Sequence, residues 1–230
     1  MPTLTCYMCE SEATSDEHAP PRCLFPERKD ASDGVDYRIN LITVPSCDKH
    51  NSAKSRNDEY LFQALAGSYT SSPLGLSQFT TKVNRSFQRS PQKAASLIKR
   101  SEPVLLKRHP ADEWEHGAEI IVEAERLDEV LASCARALYF HETKRKFLGP
   151  VHVTTVFTKY NHAEVQANVT RSIEIAVRFF ANHQKKGQNP AVFWYKFDEN
   201  ENIAVFFMTF YSGSEVIVRL GKRELVPSEP

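Results

Sequence analysis

The sequence predicts an α+β protein with a metal-stapled N-terminal module, a basic helical segment and a C-terminal antiparallel sheet with covering helices. Three observations carry that expectation. Cysteine, histidine, proline and asparagine crowd the chain up to about Tyr60 without helical periodicity, as in a small module held by metal rather than by a core. Apolar residues at helical spacing fill the middle. Near the end, three strand-like runs follow one another with only short polar turns between them, which is the pattern of an antiparallel meander. The boundaries implied are 1–62 for the module, 63–117 for the basic segment and linker, and 118–230 for an α+β domain that recognises, regulates or dimerises.

Taken in order, Leu61 to Ser77 thins into Ala, Gly, Ser and Pro, read as a helix end followed by a loop. Phe79, Val83 and Phe87 recur every fourth residue with Lys82, Arg85 and Arg89 beside them, so an apolar seam with a basic flank is expected. Ser90 and Pro91 look like the N-cap and first-turn proline of a second helix. Pro103 to Gly117 mixes prolines, charges and Trp114 without a period and is read as a surface excursion, with a short strand at Glu119 to Glu123. Leu127, Val130, Leu131, Cys134 and Leu138 form the stripe of an amphipathic helix, so Cys134 is read as core. After Gly149 and Pro150, VHVTTVFT reads as a strand. A helix is expected from about Ala163 to Gln184, with Val165, Val169, Ile173, Ala176, Val177 and Phe180 on one face and Gly187 and Pro190 ending it. The runs AVFWYKF, IAVFFMTF and EVIVRL complete the sheet.

Composition narrows the function classes. The 230 residues and 41 % hydrophobic content suit a folded chain that needs no disulfides. No run approaches the roughly 18 apolar residues of a membrane span, and the start lacks a basic and then apolar leader, so a cytoplasmic protein without membrane association is expected. An odd number of cysteines, five, points to a reduced compartment and metal ligation. Lys and Arg, 29 together, balance 29 Asp and Glu, so the whole chain carries no electrostatic footprint of nucleic-acid binding. Between Lys82 and Arg108, however, eight basic residues face the single acid Glu102.

Two pairs of zinc-type donors stand out. Cys6 and Cys9 are separated by two residues, as are Cys47 and His50. A tetrahedral zinc needs four such donors converging on one point, and a two-residue spacer lets one tight turn supply two of them. The bland alternative is that Cys6 and Cys9 are incidental thiols near the N-terminus. Cys23 has no partner at that spacing and is read as a packing residue.

Between and after these pairs lie SDEHAPP and INLITVPSCDKHNSAKSRNDEY. Here the chain resembles the HNH endonuclease family, in an HNN-type variant, over roughly Cys6 to Tyr60. The resemblance implies a ββα-metal module with a structural zinc on Cys6, Cys9, Cys47 and His50. It further implies His18 as the general base, Asn40 as the residue that orients it, and Glu17 with Asn51 as ligands of a catalytic divalent cation. An imidazole suits proton transfer near neutral pH, and carboxylate with amide oxygen favours magnesium or manganese. His50 stands where a fourth cysteine is common, and Asn51 where a metal-binding histidine is common; if His50 were the catalytic ligand, the zinc would lose its fourth donor. Lys54, Arg56, Lys82, Arg85 and Arg89 are the candidate phosphate contacts; for the last three, a solvated helix face is the competing reading. The expected substrate is DNA, with RNA as the alternative, and a homodimer or regulatory protein is the expected partner. Two rivals stay open: a zinc-stabilised nucleic-acid-binding module without catalysis, and an antiviral-defence effector gated by a partner.

Overall fold

The computed structural model describes residues 4–31, 33–51, 55–107 and 112–221. The N-terminal region begins with a tight turn around Cys6 to Cys9, closed by backbone bonds from Cys6 to Ser11 (2.9 Å) and from Ala13 to Leu4 (2.8 Å). Strand β1 (Ser15–His18) pairs antiparallel with β2 (Thr43–Ser46), placing Glu17 opposite Val44 and His18 opposite Thr43. The short helix α1 (Asp48–Asn51) follows β2 directly, and α2 (Ser55–Ala66) packs its buried Leu61, Phe62 and Leu65 inward.

Helix α3 (Pro73–Gln78) starts where the sequence suggested only a loop. Ser72 caps it by accepting a bond from the Gly75 amide, and Pro73 occupies its first turn, a start signal written in one Ser-Pro pair. A π-helical turn over Phe79–Val83 carries the chain into α4 (Asn84–Arg89). The expected seam holds there: Val83 is fully buried, and Phe79 meets Phe87 edge to face at 6.5 Å. Helix α5 (Pro91–Lys99) has the proline at its start, although the Ser90 side chain does not cap it.

The stretch read as an excursion is a hairpin instead. Strand β3 (Ser101–Leu106) pairs with β4 (Glu115–Ile120), so the strand expected at Glu119 to Glu123 begins and ends earlier. Its register comes from cross-strand bonding of a solvated ribbon, which leaves no alternating apolar signal in EHGAEI.

Helix α6 (Ala124–Thr143) buries Leu127, Val130, Leu131, Cys134 and Leu138, the stripe its spacing implied. Strand β5 (Val151–Thr155) precedes α7 (Ala163–Phe179), which stops short of the expected Gln184. The residues after it form β6 (Lys186–Asn189), an edge strand that pairs with β7 (Phe193–Glu199). With β8 (Ile203–Phe210) and β9 (Ser214–Gly221) they make a five-stranded antiparallel sheet in the order β5-β9-β8-β7-β6. Side chains alternate across it. Phe206, Met208 and Phe210 join the main core, whereas Phe207 and Ile217 meet Ala176 of α7 and Phe180 just after it on the other face. Val165 and Val177, assigned to the inner stripe of α7, are 41 % and 50 % exposed; α7 touches the sheet along a narrower line than its sequence suggests. Among the described residues no helix is long and apolar enough to cross a membrane.

One buried cluster runs from Cys6, Tyr7 and Leu24 through α2 and α6 into the sheet. The β8–β9 turn is a close joint. Tyr211 and Ser212 both take left-handed φ values, 44° and 60°, as a turn matched to strand twist demands. The Tyr211 hydroxyl donates to the Leu24 carbonyl at 2.5 Å, and the Ser72 amide donates to the Tyr211 carbonyl at 2.9 Å. Next to it, a Cβ on Gly213 would stand 1.9 Å from the Thr70 carbonyl oxygen. Gly213→Ala should therefore lower stability by about 1–3 kcal/mol through forced backbone displacement, read as an earlier midpoint in urea; an unchanged midpoint would mean that this joint yields freely.

Candidate functional site

The two donor pairs meet. Ligand atoms of Cys6, Cys9, Cys47 and His50 all lie within 4.8 Å of one another, and among the described residues they form the one such cluster of His, Cys, Asp or Glu. The Nδ1 atom of His50 is 3.3 Å from Cys6 Sγ and 3.4 Å from Cys47 Sγ, and Cys9 Sγ is 3.7 Å from Cys47 Sγ. Zinc bonds of about 2.3 Å to sulfur and 2.0 Å to nitrogen set tetrahedral edges of roughly 3.5 to 3.8 Å, so the donor set fits a zinc ion. Three sulfurs and one imidazole, with no adjoining oxygen donor in the cluster, match a closed structural site. Hydrogen bonds from Ser11 bring Cys9 down to about 7, toward the thiolate that a metal requires. Burial pushes Cys47 up.

The clip closes the ends of the β1–β2 ribbon. The Tyr7 amide donates to the Pro45 carbonyl at 2.9 Å, and the amides of His50 and Asn51 donate to the Cys47 carbonyl, each at 3.0 Å. Thr14 donates to the Asp48 carboxylate at 2.7 Å, tying α1 to the strand that leads into Glu17.

On this frame Glu17 points to the same side of β1 as Ser15. Its carboxylate accepts from Ser46 Oγ at 3.3 Å and interacts with the hydroxyl of Tyr7, whose pKa rises strongly through burial and then through the Glu17 charge. Asn51 reaches that side too, its amide nitrogen donating to Ser15 Oγ at 2.7 Å. His18 lies next along β1 and is half-buried. Burial first, and the Arg22 charge second, lower its pKa below that of an ordinary imidazole, which keeps the ring neutral and able to accept a proton near neutral pH. Asn40 occupies an exposed turn at φ 54° and lines a small hollow with Ala19 and Pro20, the two residues after His18. Among the described residues no hydrogen bond joins Asn40 to His18.

The basic candidates divide. Lys82 donates to the Cys23 carbonyl at 2.8 Å and lies 4.8 Å from the Phe62 ring centroid, while Arg85 pairs with Asp30 at 2.8 Å. Both bind parts of the fold together. Arg56 and Arg89 are exposed, and Lys54 lies outside the described residues. Three contributors escaped sequence reasoning. Tyr7 and Ser46 hold Glu17, and Arg22 stands close enough to His18 to influence its charge. Tyr7 was masked by its place inside the cysteine pair, but Ser46 could have been found from period-two alternation once β1 and β2 were paired. No protein-family model, curated protein or solved structure matches the chain.

Proposed function

We propose that this chain is a metal-dependent HNH-type endonuclease that hydrolyses phosphodiester bonds in DNA. One observation carries the reading: four convergent metal donors close a ribbon whose first strand bears Glu17 and His18 and whose following helix bears Asn51. His18, with its lowered pKa, accepts the proton of the attacking water. Glu17, held by Tyr7 and Ser46, supplies a hard carboxylate oxygen. The Asn51 amide nitrogen is engaged by Ser15, leaving its carbonyl oxygen to face a cation. Together they would hold magnesium or manganese, an ion that neutralises charge on the phosphate and the leaving oxygen. Asn40 stands in the turn that faces the two residues after His18. Arg22 and Arg56, both exposed, meet flanking phosphates.

A second reading, a defence effector that cuts only when a partner engages it, is favoured by charge. The chain has equal numbers of basic and acidic residues, and Lys82, Arg85 and Lys93 are spent on internal contacts. The two readings part on supercoiled plasmid. Zinc-loaded protein alone should nick it in magnesium and not in chelator, and Glu17→Gln should slow nicking by at least about a hundredfold. Full activity of Glu17→Gln, or cutting that ignores the divalent cation, would remove the proposed site; silence of the wild type alone would move the reading to the partner-gated form.

A further inference from the structure

The segment from residue 84 to residue 126 lacks a core of its own. None of its described residues is buried, although it carries α5, β3 and β4, and Ile98, Leu105, Trp114 and Ile121 are between 57 % and 72 % exposed. Its strands make a ribbon of two, which needs a third strand or a covering surface to be stable by itself. The edges of that ribbon differ. The Ile121 amide donates to the Arg100 carbonyl at 3.0 Å, and bonding in an antiparallel pair alternates. With Glu102 opposite Glu119 and Pro103 opposite Ala118, the backbone groups of Ser101, Pro103 and Leu105 therefore point outward from β3, and those of His116, Ala118 and Ile120 outward from β4. Pro103 has no amide to offer, which blunts the β3 edge. Among the described residues no hydrogen bond takes the outward amides and carbonyls of His116, Ala118 and Ile120.

This open edge forms one side of a cavity of about 660 Å³ that lies between α2, β4, the start of α6 and the loop after β5. Every residue from Ala118 to Val122 lines it and no residue of β3 does, so the edge of the ribbon, not a face, looks into it. The volume falls in the range, roughly 300–1,000 Å³, of sites that enclose organic ligands. Its walls are apolar at Tyr60, Ala64, Phe79, Leu127, Val153 and Phe157. Its acidic and basic side chains, Glu119, Asp128, Lys159 and His162, are all exposed, and Lys159 already pairs with Glu119 at 3.1 Å. Charge therefore selects nothing here. A compact apolar ligand would fill the space but leave the β4 amides and carbonyls to water. An extended chain answers both, with main-chain bonds to the edge and side chains against the walls.

We propose that this cavity receives an extended peptide segment of another protein, with apolar residues in alternation, which adds to the outer edge of β4 as the third strand of the ribbon. Binding is read without DNA or a divalent cation, so its outcome and that of the nuclease reading are separate. The test is fluorescence anisotropy on the full-length, zinc-loaded chain with a labelled heptapeptide of alternating valine and threonine. Two analogues accompany it, N-methylated on the odd or on the even residues. The parent should bind. Methylation should weaken binding at least about tenfold in one analogue, whose methyl groups replace the amides that meet β4, and leave the other unchanged. Ala118→Pro, which removes an outward amide while sparing the bonds to β3, should abolish binding, and Ala64→Phe should do so from the α2 wall with β4 intact. Failure of the parent to bind, equal binding of the two analogues, or full binding by Ala118→Pro would overturn the proposal. So would sedimentation of the chain alone as a dimer that Ala118→Pro dissociates, since the strand on this edge would then come from a second copy.

Discussion

Cys47→Ser is expected to release the bound zinc and unfold the β1–β2 ribbon, the largest change that any single substitution in this chain should produce. Structural zinc in finger-type sites contributes roughly 10–16 kcal/mol of apparent binding energy at neutral pH, against a total of about 5–15 kcal/mol for a typical domain. Cys47 is only 6 % exposed and lies between Cys9 and His50 in the cluster, so serine would remove a central donor. The loss should be local at first. Hydrogen exchange should collapse at Ser15 to His18 and Thr43 to Ser46, while the β7, β8 and β9 amides stay protected. Metal analysis beside that exchange map decides the matter: a variant that keeps one zinc per chain and native protection in β1 would show that the clip is not what holds the ribbon. His50→Ala settles the register in the same way, since a catalytic His50 would leave zinc content intact.

On the nuclease proposal, His18→Ala should reduce DNA cleavage by about a hundredfold to ten-thousandfold, the usual contribution of a positioned general base, with zinc content and thermal midpoint unmoved. The second half of that expectation rests on geometry. His18 is half-buried, and among the described residues its ring makes no hydrogen bond that the fold would miss. Single-turnover rates on plasmid, with and without added imidazole, separate a missing base from a disturbed site: free imidazole should restore part of the rate only if the alanine has left an empty place for it. Cleavage by His18→Ala at the wild-type rate would reassign the base.

How far the sequence foretold these features depends on what each element answers to. Cys6, Cys9, Cys47 and His50 were legible because a metal imposes its spacing on short turns. The α6 stripe and strands β7, β8 and β9 were legible because each buries a face, and burial writes its period into the residues. Strand β6 was not, because Lys186, Gly187, Gln188 and Asn189 join the sheet through backbone bonds to β7 and owe nothing to an apolar face. The β3–β4 hairpin escaped for the same reason. On α7, Val165 and Val177 show the opposite error: apolar residues at near-helical spacing that the fold leaves in water. Within the candidate site, residue types and order were legible, but their support was not. Nothing in the order of letters pairs Tyr7 with Glu17, or turns Lys82 and Arg85 away from a phosphate toward Cys23 and Asp30. Those are consequences of long-range contacts that only folding creates.

The joint at the β8–β9 turn bears on how this chain can be reused. Tyr211 reaches the Leu24 carbonyl, and Asn189 donates to the Ile39 carbonyl at 3.3 Å, one residue before Asn40. Both bonds cross from the C-terminal sheet to the long connection between β1 and β2. The segment that resembles a nuclease is therefore not a portable cassette. Excised at Tyr60 for grafting onto a different protein, it would leave behind the α6 and sheet side chains that share its buried cluster and the bond to its Asn40 turn, and a transplant would have to carry the distant sheet with it.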